Sequence, residues 1–175
     1  MRALAAILVS VLISAPLAAQ KDKPEPLTET QQDQIAEAGI FPVARVGLYI
    51  KFLDEHSETI KGLILRAHTE ARVRRLNGEL QNLSALMDEL GDNLDVYSER
   101  KADIRKALKP LTEGVARWQQ ALHGLPSEPG FELSLKDALD SVSDLSDQVR
   151  QITTDQEAYF TAHPDEKGQD RYEPK

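Results

Sequence analysis

Carboxylates and histidines are the side chains through which this chain can do chemistry. Asp88, Asp92, Asp95 and Glu99 recur at spacings of four, three and four, and Asp137, Asp140, Asp144 and Asp147 at three, four and three. Each set therefore falls along one face of a helix, where like charges repel and call for a compensating partner. Basic residues are available in two clusters, Arg66, Arg72, Arg74 and Arg75, and Arg100, Lys101, Arg105, Lys106 and Lys109. One reading is interhelical salt bridging on solvated faces, the commoner fate of exposed charge. The other is an interaction surface, made of the eight acids with Arg72 and Arg75, for a cationic partner or divalent ions.

Other chemistry has little to rest on. A di-iron bundle needs Glu-x-x-His pairs projecting inward, yet the residues three before His56, His68, His123 and His163 are Leu53, Leu65, Gln120 and Phe160. The C-x-x-C-H signature of covalent haem is absent. A non-covalent haem on Met87 would remove Met87 from a plain apolar stripe, where a methionine reads as core. His56, flanked by Asp54, Glu55 and Glu58, reads as a half-exposed histidine in a solvated charged turn. There is no G-x-S-x-G elbow, P-loop, dinucleotide fingerprint or H-E-x-x-H. The expectation is a protein that is not an enzyme, with no cofactor and no catalytic or metal-binding residue.

These side chains need elements to hold them, and the first segment sets the compartment. Arg2, the uncharged apolar run Ala3 to Ile13, the break at Ser14-Ala15-Pro16 and the small residues Ala18-Ala19 have the order of a secretory signal peptide over residues 1–19. The apolar run is shorter than the roughly 20 residues of a spanning helix, so no membrane span is expected after cleavage. With no cysteine, disulfides and thiol chemistry are excluded. A net charge of −8, with only Arg2 lost alongside the signal, argues against nucleic acid as partner. The localisation so implied is exported, periplasmic or extracellular, and soluble.

Residues 20–41 read as a flexible arm with one short helix. Thr28 and Gln31 have capping-box spacing at its start, and Gly39 suits its end. A bundle domain over 42–160 follows, with helices near 43–67, 70–96, 99–123 and 134–160. Their stripes alternate spacings of three and four: Val46, Ile50, Leu53, Ser57, Ile60, Ile64 and Ala67; Val73, Leu76, Leu80, Leu83, Met87, Leu90, Leu94 and Tyr97; Ile104, Leu108, Leu111, Val115, Trp118 and Leu122; and Leu135, Ala138, Val142, Leu145, Val149, Ile152 and Tyr159. A hairpin turn near 96–100 with Ser98 as N-cap competes with one long continuous helix, because the register runs on unbroken. The charged residues 161–175 read as a disordered tail. Amphipathic helices with short connections bury their stripes against one another, which predicts an all-α fold: an antiparallel up-and-down bundle of three to four long helices.

Leu27-Thr28-Glu29-Thr30-Gln31 also resembles the L-T-x-x-Q motif of periplasmic Spy/CpxP-like stress chaperones. Such a resemblance, over five residues of the chain, implies holding unfolded clients in the cell envelope. A second copy would fall at Leu111-Thr112-Glu113-Gly114-Val115, where the glutamine is missing. The functional expectation is thus an exported helical-bundle protein acting through a protein partner or self-association. The alternatives are a chaperone of the L-T-x-x-Q type and a cation- or cofactor-binding bundle.

Overall fold

A computed structural model describes residues 24–168 of the chain; the expected signal peptide and the last seven residues of the tail lie outside the described residues. All regular structure within it is helical: α1 (Glu29–Glu37), α2 (Pro42–Ile64), α3 (Glu70–Glu99), α4 (Arg105–His123), α5 (Glu132–Ala162) and one 3-10 turn at Pro164–Glu166. None of these helices is long and apolar enough to cross a membrane.

Local chemistry explains where the helices begin. Thr28 and Gln31 close a reciprocal capping box on α1. Pro42, which has no amide hydrogen to orphan, opens α2, and Thr69 accepts the Arg72 amide at the start of α3. The residues near 98 behave differently from either expectation. α3 continues through Ser98 to Glu99, so Ser98 is not an N-cap, and the chain then turns instead of running on. The Ala102 amide donates to the Tyr97 carbonyl and the Lys101 amide to that of Ser98, with Lys101 at a φ of 56°. This is a Schellman closure with lysine where glycine is usual, so the sequence carried no glycine to mark it.

The long helices pack as a ring. α2 lies against α3 and α4, α5 lies against α3 and α4, and no other pair of long helices packs together. Tyr49 bonds Glu89 while His56 bonds Glu79, so α2 and α3 are antiparallel. Between α3 and α5 the sense is opposite. Asn77 pairs with Ser134, Ser84 with Ser141 and the Gly91 carbonyl with Gln148, a constant offset of 57 residues that makes these neighbours parallel. Chain neighbours α3 and α4 thus do not pack on each other, unlike in the simplest up-and-down arrangement.

The predicted stripes form most of the core, with informative departures. Tyr49 and Phe52, among the largest fully buried side chains, were outside the predicted α2 stripe, whereas Ile50 and Ile64 are only half-buried and Ala67 is exposed beyond the helix end. A helix wedged between two partners buries a face wider than one stripe. Gln156 and Phe160 occupy the inward positions at the end of α5, with Tyr159 half-buried beside them. Gln156 accepts from the Ile104 amide at 3.1 Å and donates to the Ala102 carbonyl at 2.6 Å, satisfying the α3–α4 turn from across the bundle. Trp118 is fully buried, its indole N–H donating to Asp54 of α2 at 2.7 Å.

Two segments expected to be loose are tied down within the described residues. Leu27 and Ile35 of the arm are buried, and Gln31 donates to Glu55 of α2. Past α5, the Gly168 amide donates to Asp103 at 2.8 Å. Asp103 also receives Arg105 through both carboxylate oxygens, and these donors hold its carboxyl down at about 2.

Candidate functional site

The α3/α5 seam brings the two acidic sets together. On α3, Asp88 and Asp95 continue the seven-residue spacing of Gln81, and Gln81 and Asp95 themselves reach α5 through Ser134 and Gln148. On α5, Asp137 and Asp144 lie three residues beyond Ser134 and Ser141, the ladder positions facing α3. With the offset of 57, Asp88 is level with Leu145 and so beside Asp144 across the groove. All eight predicted carboxylates are exposed. They border one face of the molecule, along the outer edges of two parallel helices.

Compensation by the basic clusters does not occur on this face. Arg72 pairs with Glu128, Arg74 with Glu70, and Arg105 with Asp103. Of the eight acids, Asp140 has Lys136, Asp147 has Arg150 and Asp95 has the Gln148 amide. Asp88, Asp92, Glu99, Asp137 and Asp144 make no side-chain hydrogen bond or ion pair among the described residues. α3 has no lysine or arginine between Arg75 and Arg100, and α5 none between Lys136 and Arg150. Each i,i+4 or i,i+3 repulsion along such a stripe costs about 0.2–0.5 kcal/mol. The interhelical salt bridging expected for the stripes is therefore absent between them and either basic cluster.

Arg72 does not belong to this surface. It is 6% exposed, and its guanidinium is bound to Glu128 of the α4–α5 loop, which His68 also approaches at 3.3 Å. It clamps that loop to the start of α3, because a buried guanidinium without a carboxylate would be costly. Arg75 is exposed but lies two residues before the first ladder position, away from the acidic stretch.

His56 also departs from expectation. Its side chain is 16% exposed, not half-exposed, with Nδ1 at 2.9 Å from Glu79 of α3 and Nε2 at 2.8 Å from the Pro26 carbonyl of the arm. Both partners are acceptors, so only the doubly protonated ring donates to both. Burial opposes that charge, but the Glu79 carboxylate, the Pro26 carbonyl and the charge of Glu55 together outweigh it and raise the pKa above 6.5. A raised folded-state pKa gives stability that is complete below the ordinary value and lost as pH rises through the folded value. The wild type is therefore expected to exceed His56→Ala in stability by a larger margin at pH 6 than at pH 9. Urea midpoints at the two pH values measure this, and an equal difference at both would contradict a charged latch.

Among the described residues, no three of His, Asp and Glu stand close enough together to hold a metal ion. Comparison with protein-family models, with curated proteins and with solved structures gives no match.

Proposed function

We propose that this chain is an exported, non-enzymatic four-helix bundle, α2 to α5 alternating in direction along the chain, that acts by binding a basic protein partner on its acidic α3/α5 face. The observation that carries this reading is the row of carboxylates along two adjacent helices, of which Lys136 and Arg150 each take one acid and five make no side-chain hydrogen bond or ion pair among the described residues. Repulsion along each helix disfavours the fold, while the same field attracts and orients a cationic partner. The signal-like order of residues 1–19 supports an encounter in the periplasm or outside the cell.

Photo-cross-linking in the producing cell tests both halves of the proposal. Benzoylphenylalanine at position 144 is expected to give a discrete adduct, and at position 33, on α1, to give none. N-terminal sequencing of the same material is expected to begin at Gln20. Equal adducts from both positions would remove the face from the proposal, and retention of Met1 would remove export.

A further inference from the structure

The arm ahead of α2 is held to the bundle partly through a histidine ring. Among the helices, α1 packs on α2 alone. Leu27 and Ile35 are the arm's buried side chains. Two hydrogen bonds tie it to α2. Gln31 donates to Glu55 in the open, and His56 Nε2 meets the Pro26 carbonyl at 2.8 Å, partly buried. The same ring reaches Glu79 of α3 through Nδ1 at 2.9 Å. The charged groups acting on it are thus Glu79 from α3 and Glu55 from its own helix. The arm contributes the carbonyl and, one residue earlier in the chain, Glu25.

The ring's two partners are unequal once it loses a proton. A doubly protonated imidazole donates to both. A neutral imidazole keeps one N–H, and the hydrogen bonds around it decide which nitrogen holds it. A carboxylate accepts more strongly than a carbonyl, so the proton stays on Nδ1, towards Glu79. Nε2 then presents a lone pair to the Pro26 carbonyl oxygen, with no hydrogen between them. The charge-assisted bond that held the arm becomes a repulsion, while the bond between α2 and α3 survives. Loss of the ring's charge is thereby directed at the arm and spares the bundle.

We propose that His56 is the clasp of a pH-gated strap: the charged ring holds residues 24–38 on α2, and the neutral ring, its remaining proton committed to Glu79, lets them go. Release bares Leu27, Ile35 and the part of α2 beneath them, so the protein gains apolar surface as pH rises and loses it as pH falls. The sign follows from the acceptors, since the closed state is the one that holds the extra proton. α2 to α5 pack on one another without α1, so the bundle stays intact through the change. The strap is separate from the acidic face and independent of its role.

Methyl and histidine-ring NMR of the full chain between pH 6 and pH 9 tests the clasp. The Ile35 methyl resonance is expected to move from its docked position towards that of an unstructured chain, with the same midpoint as the His56 ring. The ratio of released to docked arm should rise at least about tenfold, as loss of one charge-assisted hydrogen bond implies. The methyl of Ile152, buried in the bundle core, should not move. Glu79→Gln is the deciding variant. A carboxamide there can donate to Nδ1, which leaves the proton of a neutral ring on Nε2 for the Pro26 carbonyl. The arm of that variant is therefore expected to stay docked at pH 9. A wild-type Ile35 methyl still docked at pH 9 would overturn the proposal, and so would a Glu79→Gln arm that releases as the wild type does. Ile35 and Ile152 moving together would show the whole fold opening in place of the strap, and would overturn it too.

Discussion

Gln156→Leu is expected to destabilise the protein by about 3 kcal/mol. The replaced amide closes two bonds to the α3–α4 turn, from the Ile104 amide and to the Ala102 carbonyl, and all three residues are buried. Leaving a buried donor or acceptor unpaired costs about 1–3 kcal/mol each. Leucine has nearly the same volume, so the gain in apolar burial offsets only part of that loss. The effect should also be local in origin, because Ile104 has no side-chain cap of its own and nothing else in the turn replaces the glutamine. Urea unfolding followed by circular dichroism reads it as a lowered midpoint at unchanged slope. A loss below about 0.5 kcal/mol, the scatter of ordinary surface changes, would mean that the turn is held some other way. Gln156→Glu refines the test, since it keeps an acceptor for Ile104 and removes the donor to Ala102.

Gly114→Val is expected to cost about as much, through steric conflict in place of lost polar bonds. A Cβ at Gly114 would stand 3.0 Å from Trp118 Cζ2 and 3.1 Å from Cη2. The indole cannot swing away freely, because it is fully buried and its N–H is held by Asp54, which also takes Arg117. Overpacking of this kind typically costs about 1–3 kcal/mol, and breaking the Asp54 bond would add to it. Alanine at the same position meets the same ring but recovers about 1 kcal/mol of helix propensity over glycine. Gly114→Ala should therefore lie well above Gly114→Val in stability. The chain has a single tryptophan, so its fluorescence reports on this ring alone. A red shift in Gly114→Val is expected, and an unchanged spectrum with unchanged midpoint would contradict the packing described.

The helices and much of the core were legible because apolar spacing is a local signal. Ile104 to Leu122 and Leu76 to Tyr97 lie buried where their three-four rhythm placed them. Features set by the partner helix were not legible. Tyr49 and Phe52 are buried because α2 contacts two helices, and no periodicity within α2 states which ones. The parallel contact of α3 with α5 depends on a ladder of small and polar residues, Asn77, Ser84 and Gly91 against Ser134, Ser141 and Gln148, that an apolar count passes over. Gln156 did carry a signal, being a polar residue four beyond Ile152 on the stripe. The acidic rows were visible as two separate stripes; that they border one face required knowing that α3 and α5 are neighbours. Arg72 was misplaced for a related reason. A surface cluster and a buried clamp look alike until the loop carrying Glu128 is seen to fold over it.

Binding of a fluorescent ten-residue lysine peptide across a salt series measures the acidic-face proposal most directly. The wild type is compared with Asp88→Asn/Asp92→Asn/Asp144→Asn and with a control of equal net charge, Glu29→Gln/Asp33→Asn/Glu37→Gln on exposed α1. Saturable binding that weakens with salt is expected of the wild type and of the α1 control, with a loss of about tenfold or more in the α3/α5 variant, since clustered charge acts within a screening length of about 10 Å. Equal weakening in both variants would show that net charge alone attracts the peptide, and would contradict a dedicated face on α3 and α5.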